Sequence, residues 1–135
     1  MRNKMRGITL IELIVVIAIV GVLASIAIPS YRQYLLLSHR SEAKSALLNL
    51  AAAQEKFYLQ NNTYTTALTT APPAGLGLTA TTVNGHYTVA IAAGANAAGF
   101  TATATAAGGQ AQDTHCASFT ITQAGTRTAT SADCW

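Results

Sequence analysis

The chain has 135 residues, of which 50% are apolar and only 10% charged, and carries a formal net charge of +3. That length holds one hydrophobic core and leaves no room for a second. The positive excess lies in Arg2, Lys4 and Arg6; beyond them five bases (Arg32, Arg40, Lys44, Lys56, Arg127) balance five acids (Glu12, Glu42, Glu55, Asp113, Asp133). The sequence pI of about 9.1 is therefore no argument for nucleic-acid binding, and no nucleic-acid partner is expected.

The first seven residues, Met-Arg-Asn-Lys-Met-Arg-Gly, are basic, and from Ile8 to Ile28 the only charge is Glu12. As a helix this run would be roughly 31 Å long, the thickness of a bilayer's hydrocarbon core. An ordinary secretory signal has a shorter apolar stretch closed by a small-residue cleavage site, and no Ala-x-Ala site precedes Pro29. The basic head places the N-terminus in the cytoplasm and the chain from Pro29 onward outside. A carboxylate within hydrocarbon costs several kcal/mol unless paired, so Glu12 either snorkels to the membrane surface or has a functional partner.

Gly7-Ile8-Thr9-Leu10-Ile11-Glu12 after a basic leader resembles the processing site of type IV prepilins, with Ile8 where that family most often has Phe. The resemblance implies cleavage between Gly7 and Ile8, loss of a leader 1–7, and N-methylation of the new terminus at Ile8. It also implies that Glu12 pairs with the charged amine of Ile8 on a neighbouring subunit and sets axial register during assembly. Prepilin peptidase and the pilus assembly machinery are then expected partners. The expected domains are the leader 1–7, a membrane and filament-core helix half 8–28, and a periplasmic or surface-exposed head 29–135.

The helix is expected to continue past the membrane, over about 9–60, on the order of 75 Å long. Gly21 and Pro29 are the points where it would bend. Ala43, Ala46, Leu47, Leu50, Ala53 and Phe57 recur at three- and four-residue spacing as a buried stripe, and Arg32, Gln33, Ser38, Arg40, Glu42, Lys44, Gln54 and Lys56 form a polar face. A helix this long cannot be covered by so short a chain, so its first half requires lipid or other copies of itself. Tyr31 and Tyr34 fall where interface anchors or inter-subunit contacts would lie. His39, among polar neighbours, reads as a solvated surface residue.

Residues 61–85 carry turn chemistry in Asn61-Asn62-Thr63, Pro72-Pro73 and Gly75-Leu76-Gly77, with Tyr64, Leu68, Leu76 and Leu78 as apolar anchors of an ordered connection. Strands follow at His86–Ala92 and Phe100–Ala106, both with period-two alternation, then at Ser118–Thr122, with a short fourth at Thr126–Thr130. Short links at Gly94–Gly99, Gly108-Gly109 and Gln123-Ala124-Gly125 make the sheet antiparallel. The expected fold is α+β, one long N-terminal helix on a four-stranded antiparallel sheet.

Cys116 and Cys134 are the only cysteines, and beyond a membrane they read as a disulfide closing a loop of about 19 residues, stabilising by roughly 3 kcal/mol. A thiol nucleophile in Asp113-x-His115-Cys116 has no third group to complete it. Two cysteines with scattered His86 and His115 match no metal-ligand spacing. No cofactor site and no enzyme signature are found. The terminal Asp133-Cys134-Trp135 with Asn61-Asn62-Thr63-Tyr64 after the helix looks most like the PilE-type minor pilins of Gram-negative type IVa systems. The function this implies is a structural subunit, stored in the inner membrane and then built into an extracellular filament for motility, adhesion or DNA uptake. A major pilin, a type II secretion pseudopilin and a single-span anchored periplasmic domain are the alternatives. A DNA-receptor pilin, which needs a basic stripe, ranks lower.

Overall fold

The computed structural model describes residues 7–92 and 94–135. Helix α1 runs over Leu10–Asn61, 52 residues, and is followed by strands β1 (Tyr87–Ile91), β2 (Thr101–Ala106), β3 (Ser118–Thr122) and β4 (Arg127–Ala129). Thr9 starts the helix: its carbonyl accepts from Leu13 and its Oγ1 from the Glu12 amide at 3.3 Å, the N-cap role of a short hydroxyl side chain. Asn62 ends it in the left-handed region at φ 54, its amide bonding back to the Tyr58 carbonyl. Helical structure is unbroken through Gly21 and Pro29.

The chain divides into two compact units at Leu35/Leu36. In the first, the apolar residues of α1 face outward with nothing from the unit over them: Leu10, Ile11, Leu23 and Ile26 are each exposed by more than 60%. Among the described residues α1 is the one helix long and apolar enough to cross a membrane.

The second unit holds the whole core. The sheet is a meander in the order β1-β2-β3-β4, every pair antiparallel. Its inner face presents Tyr87, Val89, Ala102, Ala104, Phe119 and Ile121 to Ala43, Leu47 and Leu50 of α1. Ala102 and Ala104, both fully buried, keep the strand surface low enough for the helix to lie close on it. On the outer face Thr101, Thr103 and Thr105 stand opposite Thr122, Thr120 and Ser118, cross-strand hydroxyl pairs of which Thr103 and Thr120 are hydrogen-bonded at 3.3 Å. Gly125 turns β3 into β4 at φ 75, a conformation side chains with a Cβ resist.

The connection between helix and sheet is ordered, with Leu76, Gly77 and Leu78 amides bonded to the carbonyls of Ala67, Thr70 and Leu68, and Leu68 and Leu76 buried. Three expectations need correction. Gln54 is not on a polar face but fully buried, its amide exchanging hydrogen bonds with the Thr65 backbone at 2.6 and 3.1 Å. His39 is half-buried and stacks on His86 with ring centroids 3.7 Å apart. The link after β2 is longer than Gly108-Gly109, because residues Gly108–Gln112 form a 3-10 helix that carries Gln110 into the core.

Candidate functional site

Two regions carry the residues singled out by the sequence. In the first unit Gly7 is exposed with open space around it, Ile8 is 76% exposed, and Glu12 occupies the first turn of α1. Acceptance of the Glu12 amide by Thr9 makes Thr9-x-x-Glu12 a helix-start spacing as well as part of the processing pattern; a hydroxyl three residues before the glutamate was the legible signal for it. Residues 1–6 of the expected leader lie outside the described residues.

The second region is the C-terminal end of the head. Cys116 and Cys134 form a disulfide with Cα atoms 5.7 Å apart, both buried, so Cys116 is not a free nucleophile. Asp113 does not turn to His115: its carboxylate takes a two-pronged grip from Arg40, at 2.7 and 2.9 Å, and also accepts the Cys116 amide. The Arg40 hydrogen bonds hold the Asp113 carboxyl below the usual carboxylate range, against the opposing effect of burial, and the same contact raises the Arg40 guanidinium.

Gln110 links this end to α1. Its Nε2 donates to the Leu36 carbonyl and to the Tyr87 hydroxyl, each at 3.0 Å, and to Asp113 at 3.3 Å. A carbonyl only accepts, so the amide nitrogen faces Leu36 and the Oε1 atom faces His39; His39 Nδ1–H is then the donor in their 3.0 Å contact. Burial raises the Tyr87 hydroxyl in the same pocket. Nothing in the local sequence marks Gln110 for this position, since its four side-chain partners are 23 to 74 residues away or, for Asp113, a turn ahead.

His115 and Asp133 flank the disulfide and contact each other at 2.8 Å. Trp135 donates its indole N–H to the Thr128 carbonyl of β4, which ties the residue after Cys134 to the sheet. Its ring packs edge-on to Phe119, and the Arg127 guanidinium lies 5.5 Å above it, while the Lys44 ammonium is 5.9 Å from the Phe119 ring. Two of the second unit's four cations thus sit on one aromatic cluster and a third, Arg40, is paired.

An exposed apolar helix ahead of a small disulfide-closed α+β head is the architecture of a pilin. Comparison with known proteins agrees. Residues 2–28 match the prokaryotic N-terminal methylation motif, and residues 29–120 match the family described as the type IV minor pilin ComP, DNA uptake sequence receptor. The chain belongs to the type IV pilin family. It is 38% identical to the fimbrial protein EcpC of Eikenella corrodens over 71% of this chain and 61% of that one. It is 48% identical to the type IV major pilin protein PilA of Myxococcus xanthus over 44% of this chain and 27% of that one. The chain thus spans less than two thirds of the length of these curated relatives. The solved structure of a type IV pilin from Shewanella oneidensis shares the fold, with a TM-score of 0.54 at 21% identity, covering 74% of this chain and 97% of that one.

Proposed function

We propose that this chain is a minor structural subunit of a type IV pilus. The observation that carries the reading is the apolar surface of α1 between Leu10 and Ile28, exposed throughout its own unit, in a chain that matches a minor-pilin family over residues 29–120. Water does not tolerate so long an apolar surface. Lipid covers it while the subunit waits in the inner membrane, and the same helices of neighbouring subunits cover it in the filament. Cleavage after Gly7 and methylation at Ile8 prepare the terminus, and Glu12 pairs with the Ile8 amine of a neighbour. Gly21 and Pro29 give the helix its points of adjustment during that transfer. The peptidase and assembly platform of such a system are the transient partners.

Intact-mass and quantitative peptide mass spectrometry on sheared surface filaments and on the membrane fraction tests this. A chain starting at Ile8, one methyl heavier and two hydrogens lighter, present in filaments as a trace component, is the expected result. The same mass as the dominant species makes it the major subunit instead. A chain still beginning at Met1 and confined to membranes overturns the reading in favour of an anchored domain. If Glu12→Ala leaves filament incorporation unchanged, Glu12 has no role in assembly; and if loss of the chain abolishes protein secretion while pili persist, a pseudopilin is the better description.

The description of the matching family favours a second reading, DNA reception. In the second unit Lys44, Lys56 and Arg127 are the cations outside the Arg40 pair, which limits the electrostatic contribution. With three phosphate contacts the logarithmic salt slope of duplex binding would be about −2.7. Titration of the chain with labelled duplex DNA at several salt concentrations measures it, and a slope near zero or no binding removes DNA as a ligand.

A further inference from the structure

Between the last turns of α1 and the loop that follows lies a cleft of about 430 Å3, lined from the helix by Lys56, Phe57 and Gln60 and from the loop by Pro72, Pro73 and Leu76. Its volume falls in the range of about 300 to 1,000 Å3 that holds small ligands. The three helix residues share one face, because Gln60 follows Lys56 and Phe57 at four and three residues. The cleft lies wholly within the second unit, and what it binds does not depend on filament assembly.

The loop wall is fixed before anything enters. Leu76 is buried; its amide donates to the Ala67 carbonyl at 3.0 Å, and the Gly77 amide to the Thr70 carbonyl at 2.8 Å. Gly75, between the prolines and Leu76, is packed so closely that a Cβ there would lie 2.5 Å from the Ala67 carbonyl oxygen and 2.6 Å from that of Thr70. A ligand therefore has little backbone to order on binding, which is the main saving a preformed site offers.

The lining is one-sided in its chemistry. Phe57, Pro72, Pro73 and Leu76 are apolar, and Lys56 carries the one charge. The ion pairs among the described residues are Arg40–Asp113 and His115–Asp133, so Lys56 has no carboxylate of its own. Its neighbour Glu55 accepts the Tyr64 hydroxyl at 3.0 Å and leaves the helix about 100° around the axis from it. The positions three and four residues to either side of Lys56 are Ala52, Ala53, Leu59 and Gln60, none of them acidic. An apolar surface with one unmatched cation at its exposed rim suits an apolar body with one negative charge, and the Gln60 amide on the same face offers an N–H to that anion. A phosphate dianion would keep half its charge unmatched. We propose that the cleft binds an apolar monocarboxylate, its acid group at Lys56 and Gln60 and its ring between Phe57 and the two prolines. A free aromatic acid and the C-terminal aromatic residue of a peptide both have this chemistry.

The test titrates the full isotope-labelled chain in detergent micelles with hydrocinnamate, with N-acetyl-phenylalanine and with its neutral amide, and follows backbone amide shifts by NMR. Both acids are expected to give saturable shifts at Phe57, Gln60, Gly75 and Leu76, and the neutral amide to bind about fivefold more weakly or less. Lys56→Glu changes an exposed position and is expected to weaken both acids about tenfold. Lys44→Gln, which removes a cation outside the cleft, is expected to leave them within about twofold. Tighter binding of N-acetyl-phenylalanine than of hydrocinnamate assigns the site to a peptide end, and equal or weaker binding to a free acid. Absence of saturable shifts at those amides overturns the proposal. So does equal binding of the acids and the neutral amide, which marks apolar contact without charge selection, and so do equal losses in Lys56→Glu and Lys44→Gln, which mark a general field effect.

Discussion

Arg40 and Asp113 are 73 residues apart in sequence, yet Nε and Nη2 of the one meet Oδ2 and Oδ1 of the other at 2.7 and 2.9 Å. This is the two-pronged geometry that a planar guanidinium makes with a carboxylate. The side chains are only 16% and 5% exposed. The pair anchors the start of the disulfide loop to α1, and through the Cys116 amide it reaches the disulfide itself.

Asp113→Ala leaves Arg40 charged and largely buried with no carboxylate, and is expected to destabilise the head by about 3 kcal/mol, the low end for breaking a buried pair. Urea unfolding followed by fluorescence of Trp135, the only tryptophan, measures it. The double change Arg40→Met with Asp113→Leu is expected to recover most of the loss, because no unpaired charge remains; equal losses in both would show that the pair contributes nothing of its own.

Acid should weaken the head through the same carboxylate. Asp113 has its folded carboxyl below the ordinary value, chiefly through the Arg40 hydrogen bonds. Its contribution is therefore fully present above the ordinary carboxylate range and is lost as pH falls through the lowered folded value. Asp113→Asn is expected to be less stable than wild type at neutral pH and to approach it in acid. A stability gap between the two that does not change with pH would refute this account.

Gln54→Leu keeps the volume in the core but strands the N–H and C=O of Thr65, which Gln54 now satisfies. A cost of about 2 kcal/mol is expected, that of leaving buried polar groups unpaired. Hydrogen exchange at the Leu76 and Leu78 amides should accelerate in this variant, since the loop loses its tie to α1; unchanged exchange there would mean the loop holds itself.

Ala104→Leu adds bulk where the sheet meets α1, at a fully buried position in the cluster with Ala43 and Leu47. Overpacking of this kind costs about 1–3 kcal/mol. The neighbouring Thr103 points to the other face, so Thr103→Val is expected to stay within about 0.5 kcal/mol. Thermal unfolding of the two variants compares the faces directly, and equal tolerance would contradict close approach of the helix.

The helix could be read within one residue at each end because its signals are local. An apolar run, a stripe at helical spacing and an Asn pair at the stop all act on neighbours along the chain. The strands were legible for the same reason: Thr101 to Ala106 alternates with period two, and only a strand puts every threonine on one side. The fourth was read one residue long at each end: Thr126 and Thr130 lie just beyond β4 (Arg127–Ala129), although each still makes a backbone bond to an end of β3.

Polar residues whose partners are distant were not legible. Gln54 stands in a polar stretch, and only the return of the loop past Thr65 makes it a core residue. His39 reads as solvated until His86 and Gln110 close over it. Asp113, His115 and Cys116 suggest one cluster by proximity, and the fold sends Asp113 to Arg40 and His115 to Asp133. By itself the sequence determined the elements, the apolar surface that demands a partner, and the cysteine pair, because hydrophobic period and backbone preference are properties of short segments. Which side of Asp113 meets a cation, and that His115 and Asp133 flank one disulfide, only the tertiary structure decided. Those contacts depend on how β3 and β4 return to α1, and no short stretch of the chain encodes that path.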